Sequence, residues 1–427
     1  MNITYFKNNF LLILFFFKIS AFCQENIQIQ KNKTINKNIH TVLLHLEGDP
    51  LSYPIIKLNS LEKLQLSFDD FSDEFQEYYY SIYHCNSDWT LSDLMQSEYI
   101  DGFFENKISD YEYSFNTLIS YTNYKLIFPE DILKPKLSGN YIISVFTNNN
   151  PEEIVFQKRF KILDEKISLN ANVKRSTLIN ERLNKHEVDF NIDYGNMYIP
   201  NPYSDIKIII KQNNREDNDI TNLKPLFVRQ NKLIYDYEEE NTFEAGNEFR
   251  YFDTKSIRYH SERIKQIKFD SSVINVDLFT DISRTFDEFI SLGDINGNFI
   301  INKQEAWNSE IEADYVNVYF SLLENRRPTD GDIYIIGRFS DWDLNEKYKL
   351  NWNEKTRRYE CKILLKQGFY NYMYVLKENN NNKTNSSYIE GSHYQVNNDY
   401  YIYVYFKDIG KNYEQLIGYI KTSSNLF

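Results

Sequence analysis

Hydrophobic and polar positions in this chain are organised into short β-branched and aromatic runs, several of them alternating, separated by Asn, Asp, Ser, Gly and Pro. Successive side chains of a strand point to opposite faces, so runs of this kind predict strands rather than helices. From His40 onward the expected strands cover residues 41–46, 63–68, 78–83, 113–116, 123–128, 141–147 and 154–162. Short strands with turn signals between them predict an immunoglobulin-like sandwich, here without the Cys…Trp…Cys spacing of antibody domains. A second β-domain is expected to begin near Lys166, with strands at 167–173, 187–193, 206–210, 232–237 and 272–279. A third follows, with strands at 315–322, 332–339, 359–365, 370–376 and 400–406. The expected fold class is all-β, as tandem immunoglobulin-like or early-set β-sandwich domains at 38–164, 165–312 and 313–427.

The pattern differs at the N-terminus. Lys7 supplies a positive charge, residues 10–17 are an unbroken apolar run, and Ala21-Phe22-Cys23 precedes Gln24. This is the layout of a secretory signal, and the run is too short to span a bilayer. Lipidation of Cys23 calls for a small residue before it, and Phe22 is bulky. Cleavage is therefore expected between Cys23 and Gln24, followed by a flexible lead-in over 24–37 and a soluble chain. The two remaining cysteines, Cys85 and Cys361, are expected to be free thiols.

Composition sharpens the fold class and removes some functions. Of 427 residues, 16% are aromatic, with 35 Tyr and 31 Phe, which favours pleated sheets over helices. Glycine is scarce, and Asn takes its place in turns because it tolerates positive φ. A net charge of −13, spread along the chain, argues against nucleic acid or anionic membrane surfaces as partners. The last residue, Phe427, invites comparison with outer-membrane barrels, but residues 421–426 do not alternate as a barrel strand must.

Candidate chemistry is thin. The six histidines form no H-x-x-x-H or H-E-x-x-H pair, and no G-x-S-x-G elbow, P-loop or dinucleotide fingerprint occurs. His84 and Cys85 are adjacent on an expected strand, so they face opposite ways and make a poor nucleophile–base pair. Packing with Trp89 is the expected role. The D-I-N-G-N run at 294–298 begins like a calcium loop, but its Gly297 is fourth rather than sixth, which predicts an Asn-Gly turn. Asp69-Asp70 reads as a charged turn, and Glu248 and Arg250 as a same-face salt bridge. The long segment over 86–112 is expected to be held on the first domain by Trp89 and Tyr99, with Phe103 and Phe104 as further anchors. No catalytic residue, metal or cofactor is expected.

A series of motifs adds a family. These are H-C-x-x-x-W (His84, Cys85, Trp89), S-E-Y-I-D-G (with Tyr99, Asp101, Gly102), S-F-N-T (with Asn116) and L-S-G-N-Y (with Gly139). F-E-A-G-N-E-F-R (Gly246, Asn247, Glu248, Arg250), D-I-N-G-N-F, A-D-Y-V-N-V, K-Q-G-F-Y-N-Y (Gly368) and I-E-G-S (Glu390, Gly391) follow in order. In this order they resemble the plug proteins of the Bacteroidetes type IX secretion system. The resemblance implies a non-enzymatic periplasmic protein that binds the periplasmic opening of an outer-membrane barrel translocon. It implies occlusion of that opening while no substrate is in transit, with the motif residues serving as structural or interface positions. The run I-I-G-R-F-S-D-W, ending at Trp342, is separately similar to the early-set sandwich of glycogen-binding modules. Those modules stack sugars on this Trp and on a second aromatic, but no Trp follows Tyr374 here, so the likeness extends to the fold alone. It leaves a carbohydrate-binding accessory protein as the alternative function.

Overall fold

A computed structural model describes residues 32–72, 74–324, 328, 331–379 and 384–425. The expected signal peptide and the Cys23–Gln24 cleavage site lie outside the described residues.

Residues 39–162 build one core between two sheets. The first sheet runs Lys33–Thr34, Ile154–Leu163, Gly139–Thr147, Tyr78–Cys85 and Asn106–Ile108, with Ile55–Lys57 parallel to Ile154–Leu163. Its partner runs Ile39–Leu46, Leu64–Asp70, Thr122–Phe128 and Asp110–Tyr113. Aromatic residues fill the space between them. Phe68 stacks on Tyr124 at 5.1 Å and meets Phe156 edge-on at 4.9 Å, an arrangement that aligns ring edges with ring faces.

The second sandwich pairs Ser168–Arg175, Lys185–Asp193, Lys232–Tyr235 and Phe227–Arg229 in one sheet. Its other sheet runs Ile220–Thr221, Ile206–Gln212, Asp399–Phe406 and Gln415–Ser423. The third sandwich lies between these pieces in sequence. Its long strand Gly368–Glu378 pairs with Arg250–Asp253, Phe299–Ile301 and Gly331–Ile336. The facing sheet runs Ile264–Phe269, Ile274–Leu278, Tyr315–Leu323, Arg358–Lys366 and Asn351–Asn353.

The sheets therefore divide the chain differently from the expected boundaries. The strand near 400–406 belongs to the second sandwich, and that near 272–279 belongs to the third. The third sandwich is inserted into the second. Alternation identifies a strand but not its neighbour. The pairing is fixed by side-chain fit: Ile206, Ile208 and Ile210 lie opposite Phe406, Val404 and Ile402, and all six enter one core.

Local departures have local causes. The strand expected at 113–116 ends at Tyr113, because Asn116 turns the chain at φ 57° and Ser114 Oγ accepts the Tyr121 amide proton. Asp69 and Asp70 lie buried within a strand instead of forming a charged turn. The end of the expected flexible lead-in is pinned, since Lys33 and Thr34 pair with Gln157 and Phe156. Between 86 and 112 the chain forms a helical turn and short strands. Tyr99 is buried and Phe104 packs on Tyr83, but Phe103 is 72% exposed and anchors nothing. Among the described residues no helix is long and apolar enough to cross a membrane.

Candidate functional site

The motif residues do not gather in one cleft. Most of them gather along the three seams where the sandwiches meet.

At the seam between the first and second sandwiches, His84 lies edge-on to Tyr141 at 5.0 Å and to Tyr413 at 5.5 Å. Its Nδ1 is 2.9 Å from Ser92 Oγ, and its Nε2 is 3.2 Å from the Ser138 carbonyl. Gly139 makes room for it: at φ 149°, a Cβ there would stand 2.5 Å from His84 Nε2. Burial lowers the imidazole to about 4, so it is neutral at pH 7. Cys85 faces the other way, against Trp89 and Ile142, and burial pushes its thiol up to about 12. The thiol is inert at neutral pH and is not within reach of an activating base. Both cysteines are free. Next to this pair, Asn140 accepts a hydrogen bond from Tyr405 Oη at 2.7 Å, and Glu414 accepts one from the Ser87 amide at 2.8 Å. Trp89 is 9% exposed, takes φ 68°, and lies under the Arg159 guanidinium at 4.3 Å. Asp101 and Gly102 sit within the first sandwich, where a Cβ on Gly102 (φ 107°) would meet the Ile132 carbonyl oxygen at 2.2 Å.

The first and third sandwiches meet across a buried ion pair, Lys366 to Asp69 at 2.6 Å. Tyr315 Oη and Asn123 Nδ2 also donate to Asp69, at 2.5 and 2.7 Å. The S-F-N-T turn holding Asn116 docks here: Phe115 N donates to the Ile311 carbonyl at 3.0 Å and Leu118 N to Asp314 at 2.6 Å. Gly368 permits close packing beside the pair, since a Cβ would lie 2.2 Å from the Ile300 carbonyl oxygen. Further along the seam, Arg338 donates to the carbonyls of Ser52 at 2.6 Å, Leu51 at 3.1 Å and Leu44 at 3.3 Å.

Where the second sandwich receives the third, Asn247 Nδ2 donates to the Glu390 carbonyl at 2.8 Å and Gly246 N to Ser392 Oγ at 3.0 Å. Gly391, at φ 74°, turns the chain between them. Arg250 binds Glu390 and Asp281, and Arg284 reaches the same Glu390 carboxylate at 2.7 Å. Burial raises the Glu390 carboxyl, but these two cations outweigh it and hold the group at about 2. The expected Glu248–Arg250 salt bridge does not form. The strand begins at Arg250, so Glu248 falls in the irregular segment before it and hydrogen-bonds to Asp294. Burial, and then the Asp294 carboxylate, push Glu248 up to about 8. Trp342 is 6% exposed, edge-on to Phe249 and above Gly297, so its face is closed to a sugar ring.

Lys366, Arg338, Arg284 and Glu414 were not singled out from sequence, and Asp69 was read as part of a charged turn. The usable signal for Asp69 was that it directly continues the strand-like run 63–68. Among the described residues, one acidic trio has metal-like spacing, Glu187, Asp189 and Asp236. Lys174 Nζ already sits among these carboxylates, at 3.0, 2.6 and 3.9 Å, and supplies the positive charge.

A family model for the type 9 secretion system plug protein 1st domain matches residues 39–164. A solved structure of a hypothetical protein from Parabacteroides merdae is 34% identical and covers 92% of this chain and 99% of its own, with a TM-score of 0.90. Alkylpurine DNA glycosylase AlkC from Pseudomonas fluorescens, bound to DNA, is 9% identical over 29% of this chain and 30% of its own. Its TM-score of 0.17 is too low to carry an argument. A comparison with curated proteins gives no match. The matched residues coincide with the first core, and that core is locked to the other two sandwiches by the motifs that follow it. Residues 39–164 belong to the family of type 9 secretion system plug protein first domains.

Proposed function

We propose that this protein is a non-enzymatic periplasmic component of type IX secretion. In this reading it binds the periplasmic opening of an outer-membrane barrel translocon and closes it while no substrate is in transit. The observation that supports the reading best is the set of polar seams. Steric closure requires a body that does not flex open, and here the first sandwich meets the third through a buried ion pair and the second through a buried hydrogen bond, while Thr384 Oγ1 of the third donates to Asp217 of the second at 2.6 Å. The rim where the first and third sandwiches meet also carries exposed aromatic residues, among them Tyr113, Phe115 and Trp307, which suit contact with another protein. The carbohydrate alternative loses the residue that motivated it, since Trp342 is buried.

The test is copurification from detergent-solubilised outer membranes, followed by conductance of the purified barrel in a planar bilayer. The expected result is coelution with a large barrel protein and a fall in conductance on adding the chain from the periplasmic side. Elution of the chain alone, or unchanged conductance with the complex formed, would overturn the closure reading.

A further inference from the structure

The three sandwiches share one cavity of about 90 Å³, lined from the first by Trp89, Arg159 and Lys161, from the second by Lys211, Glu216 and Tyr403, and from the third by Arg338 and Asp341. It opens beside the outer strand Ile154–Leu163, in the gap left between Lys33–Thr34 and Ile55–Lys57, which pair with separate stretches of that strand.

The charge inside it is unbalanced. With Lys158, five cationic side chains line the cavity against two carboxylates, Glu216 and Asp341, a formal excess of three positive charges in a chain whose net charge is −13. The carboxylates are already engaged: Asp341 with Lys158 at 2.6 Å, and Glu216 with Arg159 at 3.0 Å and Lys211 at 3.4 Å. Arg338 is satisfied by backbone carbonyls, which carry no net charge. Lys161 has no ion pair or hydrogen bond to its Nζ among the described residues. Its ammonium is held only between two rings, 4.9 Å from the Trp89 centroid and 4.6 Å from that of Tyr403. Burial first, then Lys211, lower it to about 7. The one carboxylate that favours its charge, Glu216, is shared with Arg159 and Lys211, so this lysine lacks a counter-charge of its own, and a low-dielectric site magnifies that lack.

We propose that this junction is a binding site for a small divalent oxyanion of the phosphate class, free or as the terminal group of a small ester. The volume suits such an ion with one or two waters and is too small for a nucleotide or sugar chain. The anion would meet cations from all three sandwiches, so its occupancy would tighten the whole assembly. The proposal is independent of the translocon, because its test uses the isolated chain.

Thermal melting is compared in phosphate, in glycerol 3-phosphate and in chloride at matched ionic strength. Phosphate is expected to raise the melting temperature by at least ~2 °C when well above its dissociation constant. An equal rise with glycerol 3-phosphate identifies an ester-tolerant site; a rise with phosphate alone identifies a free-ion site. Lys161→Met keeps the stem between the rings and removes the charge, so the phosphate shift should vanish. Equal melting in phosphate and chloride, or an undiminished shift in Lys161→Met, would overturn the proposal. Trp89 lines the cavity, so tryptophan fluorescence of the unaltered chain gives a second readout should the variant not fold. A saturable change with phosphate and none with chloride supports the site, and no saturable change refutes it.

Discussion

Replacing Lys366 with Met tests whether the seam between the first and third sandwiches is held by charge. The pair it breaks is almost fully enclosed, with side-chain exposures of 2% for Lys366 and 1% for Asp69. Lys366 also donates to the Glu310 carbonyl at 2.5 Å and lies 4.2 Å from the Tyr121 ring centroid. Burial lowers the pKa of this lysine more than Asp69 raises it, so desolvation outweighs attraction. A buried pair of this kind is often no more stabilising than an apolar contact of the same shape, while half a pair is much worse. Lys366→Met leaves the Asp69 carboxylate buried with two hydrogen-bond donors and no counter-charge, and should cost about 3–5 kcal/mol. Total stability of a folded domain is about 5–15 kcal/mol, so the loss is large. Adding Asp69→Asn keeps an acceptor for Tyr315 and removes the stranded charge, and should recover most of the loss. Urea unfolding followed by both tryptophan fluorescence and circular dichroism measures this. The single variant is expected to show a lower midpoint, with the two probes separating as the sandwiches uncouple. A Lys366→Met change below about 1 kcal/mol, or a double variant as unstable as the single one, would refute the reasoning.

Trp89→Ala removes a ring packed on Cys85 and Ile142 under Arg159, and should lower stability by about 3–5 kcal/mol; unchanged melting with lost partner binding would make Trp89 a contact residue instead. Glu248 is raised from 4.5 to about 8, so the folded state binds its proton more tightly than the unfolded state does. Its contribution is full below pH 4.5 and is lost as pH rises toward 8; Glu248→Gln should flatten that part of the pH–melting curve, and an equal slope in both proteins would contradict the shift. Phe115→Ser combined with Trp307→Ser alters exposed rim positions, so melting should stay within about 0.5 kcal/mol of the parent while coelution with the barrel weakens. Coelution at parental strength would remove that rim from the contact surface.

The all-β class was legible because alternation and aromatic runs report strand geometry directly, as in Tyr78–Cys85 and Gly139–Thr147. Pairing was not legible. Nothing local in Tyr400–Phe406 distinguishes a partner in the adjacent third sandwich from Ile206–Gln212 far upstream. The seams were half legible for a similar reason. Gly139, Gly368 and Asn247 stood out as motif residues, but the charges they accompany, Lys366, Arg284 and Glu414, resemble ordinary surface charges until the sandwiches are brought together. Glu248 shows how two residues of strand boundary decide chemistry. Outside the strand it meets Asp294 rather than Arg250, and becomes a proton holder instead of half a salt bridge.

The insertion of the third sandwich into the second sets the order in which the molecule can be finished. Domains strung in tandem can each close as soon as their own residues are available. Here Ile206–Gln212 must wait for Asp399–Phe406, with the whole third sandwich threaded between them. Until then its isoleucines face an unmade core and its edge is unpaired, which is a hazard for strand-to-strand aggregation. Gln415–Ser423 thus closes the middle of the molecule, so a chain cut short anywhere before it is left open at its centre rather than frayed at its end. Damage of that kind exposes a core, the signal by which quality-control proteases distinguish incomplete chains from complete ones.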